Sequence, residues 1–226
     1  DDIKGDVKKT LYGGRTDMKE RIVELLRETG REGIEDLIAY MDEYGFFRAP
    51  CSTSHHLAKE GGLAEHSYNV LCVAQDLSFL LCNGPENLDK ETQDAITISA
   101  LLHDLGKMGQ YNKPNYVPNM LKGRATRSNP NPEPYQSEKK PYISNPDLLY
   151  VDHEVRSVAI ASRFIELTEE EQQAILWHNG LYGSFRYQIQ GKETPLYMLL
   201  HFADMWASRV IENGGEDDGE IQDSQG

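Results

Sequence analysis

Apolar residues recur along this chain at intervals of three and four, the spacing that gathers them on one face of an α-helix. Ile22, Leu25 and Leu26 share such a face in DMKERIVELLRET, with Thr16 as a cap ahead of it and Gly30 behind. A second helix is predicted through IEDLIAYMDEY, ended by Gly45, and a third from Leu63 to Leu81, entered through Gly61 and Gly62. The next runs from Leu88 to Lys107 and closes on Gly106 and Gly109. Two more are expected from Asp152 to Glu166 and from Thr168 to Asn179, where Thr168 and Glu171 form a capping box and Gly180 stops the helix. Thr194 as N-cap and Pro195 at the first position open a last helix that reaches Asn213. No comparable alternation of strands is present, apart from a short hairpin around Phe185 to Ile189. The expected fold is all-α.

One stretch interrupts the helical pattern. Residues 108 to 150 are dense in Pro, Asn and Tyr and predict a long irregular loop, which in a compact domain is a lid or a disordered segment. Between 108 and 142 it carries Lys113, Lys122, Arg124, Arg127, Lys139 and Lys140 against Glu133 and Glu138. The whole chain has a formal net charge of −14, so a basic loop stands on an acidic protein. That overall sign opposes a grip on long duplex nucleic acid, which depends on releasing counterions from phosphates. Past Arg209, Glu212, Glu216, Asp217, Asp218, Glu220 and Asp223 read as a disordered acidic tail.

With 226 residues the chain suits one large domain. The predicted division is an N-terminal helical extension over 1–50, a core over 51–213 and a tail over 214–226. No apolar run is long enough to span a bilayer. Cys51, Cys72 and Cys82 match neither a disulfide framework nor a zinc knuckle, which suggests a reducing, cytoplasmic setting. The residues that open the sequence are charged and predict no signal peptide, although the first is not Met and an upstream segment can be missing.

Chemistry concentrates in ITISALLHDLGK. His103 and Asp104 adjoin at the end of an apolar helix, where burying an imidazole and a carboxylate costs several kcal/mol without a partner, and a shared metal ion is the simplest compensation. His66, His153, His178 and Asp204 each fall in or at the end of a predicted helix beside apolar residues, the way bundles aim ligands inward. Four imidazoles and two carboxylates suffice for two ions bridged by one carboxylate. Lys107, four residues past His103 and on nearly the same predicted face, is placed either to meet a phosphate oxygen or to complement a helix C-terminus. His55 and His56 precede the third helix, where one of them can donate a proton to a leaving group. His201 reads as a core histidine or as a support for a ligand. Trp177, Tyr182, Phe185 and Tyr187 are core aromatics or a base-stacking surface, and Arg186 and Lys192 are phosphate contacts or solvated cations.

The order His66, HDLGK at 103–107, His153, His178 and Asp204 resembles the HD superfamily of metal-dependent phosphohydrolases, and GGLAEHS with His55 and His56 ahead of it is similar to a segment of bacterial HD-domain hydrolases, 3′ to 5′ exoribonucleases included. The likeness spans Ser54 to Ser208. It implies an HD-domain helical bundle in which His66, His103, Asp104 and Asp204 bind a first metal and Asp104 bridges to a second held by His153 and His178. The implied ions are one or two of Mn, Fe, Ni, Co or Zn. The implied activity is hydrolysis, by metal-activated water, of a phosphomonoester or phosphodiester in a nucleotide or short single-stranded nucleic acid. Asp104, Lys107 and His56 would act in catalysis, and His55, Lys122, Arg124, Lys139 and Lys140 in binding that substrate. Two other uses of the same residues are an oxygenase of the same fold with two irons, as in inositol oxygenases, and a non-catalytic regulatory module with a structural metal.

Overall fold

Helices in this computed structural model, which describes residues 15–81, 87–183 and 186–212, form where the apolar period predicts them, and most end sooner than the pattern suggests. They are α1 (Arg15–Glu28), α2 (Ile34–Glu43), α3 (Gly62–Leu77), α4 (Lys90–Leu102), α5 (His153–Ala161), α6 (Glu169–Trp177), the single turn α7 (Arg186–Ile189) and α8 (Pro195–Trp206). A π-helical segment, Ala207–Glu212, continues α8. The side chain of Thr16 and all of Cys82, Phe185, Asn213 and the acidic tail from 214 lie outside the described residues, as does the side chain of Arg186.

α3 is the central element. α1, α4, α8 and the π-helical segment all pack against it, and its buried residues face more than one direction, from Leu63 and Val70 to Leu71 and Ala74. One apolar cluster runs through every long helix, from Ile22, Leu26, Leu37 and Met41 to Ile160, Ile175 and Leu200, so α1 and α2 share a core with the helices that follow them. Local signals set several boundaries. Asp89 caps α4 by accepting from Thr92 N at 2.7 Å, although the helix was expected from Leu88. The capping box of Thr168 and Glu171 is formed at α6, and Thr194 caps α8 with Pro195 at its first position. Glu171 also receives a two-pronged ion pair from Arg31 of the α1–α2 connection, at 2.9 and 2.7 Å, with its own side chain fully buried.

Three expectations need correction. The fourth helix does not reach Lys107: it ends at Leu102, and Leu105–Met108 form a separate 3₁₀ turn packed on α5. The close approach explains the break, since a Cβ on Gly106 would stand 2.2 Å from the His153 carbonyl oxygen. Second, residues 186–189 form a helical turn, not a strand of a hairpin.

Third, the 108–150 stretch, though mostly without regular structure, contains two short strand pairings that the sequence pattern does not predict. β1 (Tyr116–Pro118) pairs antiparallel with β4 (Tyr142–Ser144), with Val117 opposite Ile143, and β2 (Met120–Leu121) pairs with β3 (Tyr135–Gln136). Asn119 joins the two ladders by donating from its N–H to Pro141 O and accepting from Ser137 N, so a bent two-stranded ribbon results. Its strands are too short, and too interrupted by Pro118 and Asn119, for an alternating pattern to register. Tyr142 N donates to Thr53 O at the ribbon's base, where the Arg156 guanidinium also binds Asn115 Oδ1 and Leu149 O.

Candidate metal centre

Two of the six predicted ligands occupy equivalent places. His103 is the C-cap of α4 and His178 the C-cap of α6, and each donates its Nδ1 hydrogen to the carbonyl three residues back, Ala100 O and Ile175 O, both at 2.8 Å. Carbonyls in a last helical turn lack partners within the helix, so this bond satisfies the helix end and fixes the imidazole tautomer together. Nε2 is left pointing away from the helix. His66 and His153 are arranged alike: the Nδ1 of His66 lies 2.9 Å from Glu212 and that of His153 lies 3.3 Å from Glu154. All four rings turn Nε2 toward one carboxylate.

That carboxylate is Asp104, 1% exposed, whose two oxygens serve different groups. Oδ2 lies 3.4 Å from His66 Nε2 and 3.5 Å from His103 Nε2, and accepts from Lys107 Nζ at 2.6 Å. Oδ1 lies 3.2 Å from His153 Nε2 and 3.5 Å from His178 Nε2. Neither approach to Oδ1 is aligned as a hydrogen bond, which leaves it a buried carboxylate oxygen without a proper donor. Asp204, on α8, reaches His66 Nε2 with Oδ1 at 3.2 Å, and His66 Nε2 stands 3.2 Å from His103 Nε2.

The structure thus brings all six residues together from five separate stretches. Imidazole and carboxylate atoms of His66, His103 and Asp204, and of His103, Asp104 and His178, fall within 4.8 Å of one another, and these buried groups could hold a metal ion. The donor chemistry fits one. Two imidazole nitrogens face each other, and an orphaned carboxylate oxygen faces two more, at a mostly buried site; a cation would satisfy all of them.

Electrostatics agree with this. Burial disfavours ionised Asp104 and Asp204, yet Lys107 beside the first and His66 and His178 around the second hold both well below the usual carboxylate range. Burial pushes His103 down to about 3 and keeps it neutral. His66 goes the other way: burial opposes its charge, but the Glu212 and Asp204 carboxylates beside it raise it well above the ordinary imidazole value. Lys107, opposed by burial and favoured by Asp104, stays a firm cation.

The site opens on a cavity of about 300 Å³ whose lining includes His55, His56, Lys107, Asp204, Tyr182 and Arg209. Lys107 also borders a second cavity of about 330 Å³ lined by Arg48, Asn115 and Tyr116. A larger space of about 1220 Å³ lies between the starts of α4 and α6 and has no imidazole in its lining. Lys107 contacts Asp104 from the 3₁₀ turn, three residues on, and not through a shared helical face as the sequence pattern predicts. His55 is exposed, and burial next to His66 pushes His56 down to about 4, which opposes a cationic proton donor there near neutral pH. Lys122, Arg124, Lys139 and Lys140 are exposed on the ribbon and border neither cavity that Lys107 lines. Tyr182 is exposed with the Arg209 guanidinium 5.0 Å over its ring. Trp177 packs on the core, while Tyr187 and Lys192 are exposed. His201 is buried and donates to His178 O at 2.8 Å, with its ring filling the space beside Gly180, whose φ of +50° a side chain would strain.

Three participants escape the sequence pattern. Glu212 is read there as part of a solvated tail, yet its side chain is 1% exposed and bonded to His66. Cys51, with burial pushing its thiol up to about 12, sits 3.5 Å from His56 Nε2 and 3.9 Å from Asp104 Oδ2. Asn179 donates to Glu154, the residue that orients His153. No family model matches the chain, nor does any curated protein or solved structure.

Proposed function

We propose that this chain is a metal-dependent phosphohydrolase that cleaves a phosphomonoester or phosphodiester, in a nucleotide or a short single-stranded nucleic acid, with water as the nucleophile. The observation that supports it most is Asp104, whose two oxygens face two separate imidazole sets and so suit a carboxylate shared between two cations. His66, His103, Asp104 and Asp204 would hold one ion, and Asp104, His153 and His178 the other, the ion being Mn, Fe, Ni, Co or Zn. Such ions supply Lewis-acid polarisation of a phosphoryl oxygen and activation of water near neutral pH.

The chain's own groups do the rest. Lys107 lines the cavity as a buried cation beside Asp104 and binds a non-bridging phosphate oxygen, where its charge offsets the negative charge that grows during displacement. His55, Ser52 and Arg209 ring the mouth and position the remainder of the substrate. A space of about 300 Å³ is at the small end for ligand pockets, which favours a single nucleotide or a chain end over an internal stretch.

The test is direct. Metal-stripped protein is reloaded with Mn, Fe, Ni, Co or Zn in turn and assayed for phosphate or monophosphate release from nucleotides, cyclic nucleotides and short oligonucleotides. Release with at least one metal, abolished together with metal binding in Asp104→Ala, is expected. Oxygen consumption by an iron-loaded protein without any phosphate release would replace this reading with the oxygenase, and bound metal without either activity would leave a non-catalytic module.

A further inference from the structure

Glu212 ends the helical run that carries Asp204, yet its contacts reach across to α3. Its oxygens lie 2.9 and 3.0 Å from His66 Nδ1, and Asn69, three residues past His66 on the same helix, donates to Oε1 at 3.0 Å. The backbone makes this possible. At about 100° per residue an uninterrupted α-helix would carry Glu212 about 80° around from Asp204; the wider π-helical turn over 207–212, at roughly 80° per residue, brings it back to within about 30°. Asp204 and Glu212 therefore approach the same imidazole, one at each ring nitrogen. Because Glu212 binds the nitrogen that faces away from Asp104, it acts on the six predicted ligands through His66, while its other oxygen lies 3.9 Å from His56 Nε2.

We propose that Glu212 is a positioning residue of the metal centre: by accepting from His66 Nδ1 it locks the ring with Nε2 aimed at Asp104 and Asp204, and so strengthens the hold on a cation. The π-helical turn exists, on this view, to deliver both carboxylates to one histidine. The inference rests on reading the site as a metal centre, and not on the reaction it catalyses. Carboxylates that orient metal-bound imidazoles typically contribute about 10–100-fold in affinity.

The experiment uses the full chain, stripped of metal, and titrates wild type, Glu212→Gln and Glu212→Ala with Mn²⁺ or Co²⁺ against a competing chelator. Glu212→Ala is expected to weaken the cation by about 10–100-fold. Glu212→Gln, which keeps an oxygen acceptor without the charge, should fall between the two and shift the visible absorption of bound Co²⁺. Glu171→Gln, remote from the centre, should lower the melting temperature and keep wild-type affinity. If Glu212→Ala does not fold, Glu212→Gln alone decides. Wild-type affinity in the Glu212 variants, or an equal loss in Glu171→Gln, overturns the proposal. A wild type that binds the cation but cleaves no phosphate ester overturns the hydrolase and leaves this comparison intact; one that binds no cation overturns both.

Discussion

His66 and His103 turn their Nε2 atoms toward each other at 3.2 Å, although they belong to different helices and differ in charge. Burial keeps His103 neutral, with its value at about 3, while the Glu212 and Asp204 carboxylates outweigh burial and raise His66 well above 6.5. At pH 7 the metal-free protein therefore holds a proton on His66 where a cation would sit, and none on His103. Loading must expel that proton. Calorimetric titration in buffers of different ionisation enthalpy is expected to register about one proton released at pH 7. Apparent affinity should rise with pH from 6.5 upward until metal-free His66 itself loses the proton. A heat that does not depend on the buffer would contradict the arrangement.

Gly106 is where the HDLGK turn packs against the start of α5. Its N–H donates to Ser157 Oγ at 2.8 Å, and Ser157 Oγ donates to His153 O, so the HDLGK turn is laced to the first turn of α5. With a Cβ the turn and α5 must part. Gly106→Ala should destabilise the protein by about 3 kcal/mol and displace His153 from Asp104. Metal analysis is then expected to give a lower metal-to-protein ratio than wild type; an unchanged melting temperature and ratio would show that the contact relaxes freely.

Lys139 and Lys140 are exposed on the ribbon and line neither cavity beside Lys107. Replacing both with Ala should leave kcat and KM for a small phosphomonoester at wild-type values. If the true substrate is a longer anionic strand, its KM should rise and become less sensitive to salt. Impaired turnover of the small ester would mean that the ribbon closes over the site.

Glu171 tests stability apart from the metal. It is fully buried, completes the capping box of α6 and pairs with Arg31. Glu171→Ala leaves a partly buried guanidinium without its partner and should cost about 3 kcal/mol, read by thermal unfolding, while the cation is bound as in wild type.

Much of this molecule is local in origin. The helical class, the caps at Thr168 and Thr194 and the stop after α6 follow from short-range rules, because a cap needs only neighbours within one turn. The six histidine and aspartate side chains stand out in the sequence because each is polar within an apolar helix or at its end. Other features depend on partners far along the chain. The 3₁₀ turn at 105–108 is forced by α5, packed against it from some fifty residues away, and the ribbon's strands are defined by their register, not by their own pattern.

Glu212 marks the boundary most clearly. It stands at the end of the last predicted helix, where the acidic run begins, and nothing in the sequence shows that its carboxylate turns inward while those after it belong to the tail. Residue types and helical period were sufficient to nominate the ligands, since both are properties of single segments. Which oxygen faces which nitrogen, and which carboxylate supports His66, arose only when α3, α4, α6 and α8 packed, because a buried charge takes whatever partner the assembled core places within reach.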